Sequence, residues 1–167
     1  MHCGLYVKVL VAYMSRTGNT KKVAEAIYGA IPQPKEIRRV EDVTSLEGYD
    51  LSFLGFPMHN FGPDKQVKTF LGKHVKDRTI ALFITHMSPE DAPPMQGWIQ
   101  KFRDAAVGAN IVGVFDCQGQ ASRLIKILML IPFFFMRQAD TSQGQPDAAR
   151  LERARTFANE IMNKLKP

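Results

Sequence analysis

Two cysteines, Cys3 and Cys117, are all that 167 residues contain, and that scarcity excludes a disulfide framework. They form no CxxC pair, and the four histidines are scattered, so neither a metal site nor a dithiol centre is expected. Lone thiols suit a reducing compartment. The amino terminus lacks a basic stretch followed by a long apolar one, so no secretion signal is expected and the chain reads as cytoplasmic. No apolar run reaches the roughly 20 residues that a membrane-spanning helix needs. Acidic residues are the minority, with 16 Asp and Glu against 22 Lys and Arg, for a net charge of +6. That balance favours acidic partners. The cations nevertheless occur singly or in pairs such as Lys21-Lys22 and Arg38-Arg39, without aromatic-basic interleaving, so nucleic acid is not an expected ligand.

What is present is the composition of a globular protein, 45% hydrophobic and 23% charged, at the length of one ordinary domain. Apolar and punctuating residues alternate in a repeated pattern. Residues 7–13 form a β-branched, apolar strand. From Asn19 the apolar residues Val23, Ala24, Ala26, Ile27 and Ala30 take helical spacing, with Asn19 or Thr20 placed to cap the helix. Pro32 and Pro34 close that unit. A short strand at about 35–40 follows, and then a strand at 50–56 stopped by Pro57. A helix from about Asp64 to His74 leads to a strand at 79–85. A Pro-rich loop precedes a helix carrying Trp98, Ile99, Phe102 and Ala106, and residues 110–116 form the fifth strand. A helix from roughly Pro146 to Lys164 closes the chain. Strands alternating with helices imply right-handed crossovers and a parallel sheet covered on both faces, an α/β architecture. No internal repeat or linker divides it, so one domain, 1–167, is expected. Residues 121–146 interrupt the alternation, and 124–136 within them are almost wholly apolar.

The segment following the first strand carries the strongest chemical signal. A loop at the carboxyl end of a parallel strand, opening into a helix, presents unpaired backbone N–H groups and a positive dipole end. Ser15, Thr17 and Thr20 add hydroxyls, and Gly18 permits close backbone approach. These groups suit a terminal phosphate. The loop lacks both GxxxxGK[ST] and GxGxxG, which argues against nucleotide triphosphatases and dinucleotide folds. The alternative is an ordinary Ser/Thr-rich helix cap with no ligand.

The run Tyr13-Met14-Ser15-Arg16-Thr17-Gly18-Asn19-Thr20, followed by Lys22-Val23-Ala24, resembles the FMN-phosphate signature of the flavodoxin family, S/T-x-T-G-x-T at the start of the first helix. The resemblance implies a flavodoxin-like three-layer sandwich with a five-stranded parallel sheet in the order 2-1-3-4-5. It also implies FMN at the switch point between strands 1 and 3. Its cofactor-binding candidates are Ser15, Arg16, Thr17, Gly18, Asn19 and Thr20. In the loop after strand 3, which flanks the flavin in this family, they are Pro57, Met58, His59, Asn60, Phe61 and Gly62. Gly62 is placed to permit a peptide flip, and His59 or Phe61 to pack on the ring, unless the aromatic simply joins the core. Beyond strand 4 the candidates are Thr85, His86 and Met87, where familiar members carry an aromatic and several acidic residues. Trp98 reads as a core residue. At the end of strand 5 stand Cys117 and Gly119, with Cys117 either lining the flavin pocket or serving as a small buried hydrophobe.

No catalytic nucleophile or general base is required by this reading. It implies an FMN-binding electron-transfer protein with a redox partner, and the basic charge points to an acidic one. The alternatives are an FMN-dependent oxidoreductase acting directly on a quinone or porphyrinogen-like substrate, or a related binding module without cofactor. The apolar run 124–136 is read as a lid, a docking surface for a partner or a peripheral membrane contact, against the alternative of a helix folded onto the core.

Overall fold

The computed structural model describes residues 7–122 and 141–165. Strand β1 (Val9–Tyr13) lies between β2 (Lys35–Arg39) and β3 (Leu51–Pro57), and β4 (Thr79–His86) and β5 (Asn110–Gln118) follow on the β3 side. All four pairings are parallel, giving the order β2-β1-β3-β4-β5. This is the α/β sandwich and strand order that the resemblance implies.

The central strands are apolar at successive positions because both faces are covered. Leu10, Ala12, Leu54, Phe56, Leu82 and Ile84 face one way, beneath α2 (Lys65–His74) and α3 (Met95–Ala105). Val9, Val11, Leu51, Phe53, Ala81 and Phe83 face the other way, beneath α1 (Asn19–Ala30) and α4 (Ala148–Lys164). Gly55 is dictated by this packing, because a Cβ there would sit 2.0 Å from the Phe83 ring. A single 3-10 turn, Val40–Asp42, joins β2 to the chain leading to β3.

Element boundaries differ from expectation where polar residues find partners. Strand β3 runs through Pro57, which pairs with Thr85, although a stop before it was expected. Strand β1 ends opposite Gly55, so one side of β3 is already free at Pro57, where a residue without N–H is tolerated. Strands β4 and β5 continue to His86 and Gln118, both buried. Helix α2 begins after Asp64, whose Oδ1 accepts from Val67 N at 2.9 Å. Helix α4 begins after Asp147, which accepts from Arg150 N at 2.9 Å. No helix among the described residues is long and apolar enough to cross a membrane. The apolar run 124–136 lies outside the described residues, as does Cys3.

Candidate functional site

The carboxyl edge of the sheet gathers the loops after β1, β3, β4 and β5. Leaving β1, Met14 N donates to Gly55 O at 2.9 Å. The loop then folds on itself as Gly18 N donates to Ser15 Oγ at 3.1 Å. Gly18 has φ 89, a conformation that costs a residue with a Cβ about 1 kcal/mol or more. Gly18, not Asn19 or Thr20, is the residue at the N-cap, which corrects the capping expectation. Asn19 and Thr20 are inside the helix and their side chains are used elsewhere. Asn19 Nδ2 donates to Gln120 O at 2.8 Å, and the Thr20 and Thr85 hydroxyls are 2.8 Å apart.

The first backbone bond of α1 is Lys22 N to Gly18 O, so the amides of Asn19, Thr20 and Lys21 have no acceptor within the helix. No side chain caps this end, and no acidic residue stands in its first turn. Helices α2 and α4, by contrast, are capped by Asp64 and Asp147. An uncapped helix end with Ser15 and Thr17 beside it is ready for an anion. Arg16 is exposed and lies 3.7 Å from the Asp64 carboxylate, a rim pair contributing about 0–1 kcal/mol.

The loop after β3 is tied to β4, since Met58 N donates to Thr85 O at 2.8 Å. It turns tightly: His59 N donates to Gly62 O at 3.0 Å and Gly62 N to His59 O at 3.1 Å. The left-handed residues of this turn are Asn60 (φ 47) and Phe61 (φ 62). Gly62 closes the turn with a φ outside the left-handed region. A left-handed phenylalanine is strained by about 1–2 kcal/mol. Its ring lies 4.6 Å from that of Trp98, and Lys101 Nζ donates to its carbonyl at 3.2 Å. Phe61 is still 55% exposed. Trp98 is partly buried against the α2/α3 core, close to its expected role. His59 Nε2 is buried with no hydrogen-bond partner among the described residues. Such an atom costs about 1–3 kcal/mol unless something else satisfies it.

Beyond β4, the His86 ring turns inward. Its Nδ1 faces Ser88 O at 2.8 Å and its Nε2 faces Asp116 Oδ2 at 3.0 Å. Both partners are hydrogen-bond acceptors, so the ring is held from both of its nitrogens. Gln118 braces the same loop, its Nε2 donating to Met87 O at 2.7 Å and to Thr141 Oγ1 at 3.2 Å. Glu90 fastens the loop to β5 and α4. It accepts from Gln118 N at 3.1 Å, Arg150 Nε at 2.7 Å and Arg153 Nη1 at 2.6 Å. Burial alone would raise its pKa, but the Arg153, Gln118 and Arg150 donors prevail and hold it below the usual carboxylate range.

Cys117 is fully buried in the α1/α4 core. Burial, then the charges of Glu90 and Asp116, push its thiol up to about 12, which is the state of an inert thiol. Gly119 N donates to His86 O at 2.7 Å. A Cβ on Gly119 would lie 2.8–3.0 Å from Asn19 side-chain atoms. The ends of the 121–146 segment are drawn together there, by Ala121 N donating to Ser142 Oγ at 3.2 Å and Gln120 N to Gln145 O at 3.1 Å.

Most of the expected site residues therefore meet along one edge. Ser15 to Thr20, Met58, Thr85 and Gly119 share a continuous set of bonds and contacts, whereas Cys117 points into the core and Phe61 leans outward onto α3. The sequence reading did not single out the bracing residues Asp64, Glu90, Asp116, Gln118 and Arg150. Asp64 had a legible signal as a cap ahead of a helical pattern. Asp116 and Gln118 stand out as polar residues at the end of an apolar strand. Glu90 and Arg150, 60 positions apart, had none.

The flavodoxin domain family matches residues 10–159. A flavodoxin-like domain-containing protein, BilS, from Clostridioides difficile (strain CD3) is 34% identical over 173 aligned residues, covering 95% of this chain and 98% of the relative. Oxidised flavodoxin 2 from Bacillus cereus has the same fold, with a TM-score of 0.64 at 18% identity over 95% of this chain and 99% of that one. A flavoprotein in complex with FMN from Lactobacillus acidophilus NCFM aligns with a TM-score of 0.52 and 20% identity, over 66% of this chain and 93% of its own.

Proposed function

The chain belongs to the flavodoxin family, and from that premise we propose that it binds FMN and carries electrons to or from a partner protein. The observation that carries this reading is the uncapped start of α1, where three amides have no acceptor within the helix, no acidic residue stands in the first turn, and Ser15 and Thr17 lie in the loop just before it. The donor set fits a phosphate monoester, which needs several N–H and O–H donors and a positive dipole end. Thr20 suits the same task while accepting from Thr85, because its own hydroxyl hydrogen is then left for the phosphate. The orphaned Nε2 of His59 gives a second fit, since a bound ring or ribityl group supplies the partner it lacks.

When bound, FMN supplies one- or two-electron transfer. The chain's own work is to hold the phosphate, to flank the ring with residues 57–62 and 85–87, and to keep those loops in place. The half-buried His86–Asp116 and Glu90–Arg150 pairs do the last of these. Cys117, buried and poorly ionised, takes no part as a nucleophile.

The test is to purify the chain, record its visible spectrum, titrate the apoprotein with FMN and reduce the complex stepwise. A yellow protein that binds FMN and passes its electrons only to a protein acceptor is expected. A colourless chain with no affinity for FMN refutes the reading. Rapid turnover of a quinone without a partner would make it a direct oxidoreductase instead.

A further inference from the structure

The two helical layers carry different charge. Helices α2 and α3 hold Lys65, Lys68, Lys73, Lys101 and Arg103 against a single acid, Asp104. Among the described residues, none of those five cations makes an ion pair, and Asp104 is engaged by Gln100. On the other layer Lys21 is paired with Glu25, Arg150 and Arg153 with Glu90, and Arg155 with Glu152. Lys22 and Lys164 of that layer also stand without an ion pair, so among the described residues the α2/α3 face holds the larger set of unpaired cations, five against one acid. A groove of about 500 Å³ opens there between the 60–63 turn and the far end of α3, with Lys68, Lys101 and the Gln100-bonded Asp104 as its charged walls. At its rim stands Phe61, held in a left-handed conformation against Trp98 with half of its surface in water. Exposed Val107 adds a second apolar spot.

We infer that this α2/α3 face, centred on Phe61, Lys68 and Lys101, docks an acidic protein partner. Cations without a carboxylate partner around an exposed aromatic, Lys101 among them though it also donates to the Phe61 carbonyl, match an acidic surface with one apolar residue to seat on the ring. Long-range attraction steers such a partner to this side. A strained, exposed phenylalanine does little for a monomer's core, whereas an aromatic at the centre of a patch is what an interface uses. The Phe61 turn is continuous with Met58, which is bonded to Thr85 at the proposed flavin edge, so a partner seated there lies beside the cofactor. Docking itself does not depend on FMN, but its use for electron transfer rests on the function proposed above.

The experiment measures fluorescence anisotropy of a labelled Asp/Glu-rich peptide with one central Phe, against single-stranded DNA of matched charge and phosphatidylserine vesicles. The peptide is expected to bind, and more weakly as salt shortens the Debye length. Lys68→Glu with Lys101→Glu is expected to weaken it at least about tenfold. Phe61→Asn, which tolerates the left-handed backbone, is expected to weaken it about threefold without changing the salt slope. FMN affinity of Lys68→Glu alone, measured on the same sample, should stay within about twofold, and its melting curve should be unchanged. No peptide binding, binding indifferent to the charge reversal, or tighter binding to DNA or vesicles would each overturn the proposal. Peptide binding by a chain that fails to bind FMN would leave the docking face standing and remove the function.

Discussion

The hydroxyl oxygens of Thr20 and Thr85 lie 2.8 Å apart, both buried, joining the first turn of α1 to the end of β4 across 65 positions of sequence. Through this bond the phosphate loop and the loops flanking the proposed flavin become one unit, because Thr85 O also receives Met58 N. Thr85→Val keeps the shape but leaves Thr20 without its partner. A stability loss of about 1 kcal/mol is expected in urea unfolding. FMN affinity should fall about tenfold in a fluorescence titration, since Thr20 no longer has its hydroxyl oriented. Unchanged affinity would show that Thr20 does not reach the phosphate.

Gly119 is pressed against Asn19. A methyl group there would meet Asn19 at 2.8–3.0 Å, and Asn19 is anchored to Gln120. Gly119→Ala is therefore expected to push the start of α1 aside at a cost of about 1–3 kcal/mol. It should weaken FMN binding more than it lowers stability, because misplacing three amides affects every phosphate contact at once. Calorimetric titration and a melt on the same sample separate the two effects.

His59 offers a test with opposite signs. Its buried Nε2 lacks a partner, so replacing the ring with an apolar one removes a penalty in the apoprotein. His59→Phe should leave the apoprotein as stable as before or up to about 1 kcal/mol more stable, while FMN affinity drops about tenfold. If both fall together, the histidine is a packing residue and nothing more.

Acid sensitivity should concentrate at Glu90. Its folded pKa is depressed by the Arg153, Gln118 and Arg150 donors acting against burial. A depressed carboxylate stabilises the fold above its unfolded pKa and loses that contribution as pH falls through the folded value. Glu90→Gln should cost about 1–3 kcal/mol at neutral pH. The gap from the parent should stay constant above about pH 5 and close at lower pH. Urea melts across that range supply the measurement, and a gap independent of pH would show that the charge contributes nothing.

Cys117 should resist alkylation in the folded chain. Its thiol is buried and pushed up to about 12, so iodoacetamide at neutral pH should modify the Cys117 peptide only after denaturation. Peptide mapping by mass spectrometry follows it separately from Cys3.

Much of the architecture is legible because β strands covered on both faces must be apolar throughout and helices must be apolar at helical spacing. Val9 to Ala12 and Val23 to Ile27 each admit essentially one reading. The ends of elements were less legible. Pro57 reads as a stop, yet it lies within β3 where one neighbour has already ended. Asn19 and Thr20 read as caps by type, yet Gly18 takes that place, and Asn19 reaches the loop after β5 while Thr20 reaches β4. No sequence signal marked Asn60 and Phe61 as the left-handed residues of their turn, where the Trp98 ring and Lys101 hold Phe61 in place.

By itself the sequence determined the alternation of strands and helices, the family and the loop proposed here for a phosphate, because each depends on short-range pattern and local backbone chemistry. Only the tertiary structure decided how that loop is held. The bonds Thr20–Thr85, Asn19–Gln120 and Glu90–Arg150 span 60 to 101 residues, and nothing local distinguishes a threonine or glutamate that will find such a partner from one that will face water. The same holds for charge. Composition gives +6, but packing decides that Arg150 and Arg153 meet Glu90 while the cations of α2 and α3 find no carboxylate beside an exposed phenylalanine.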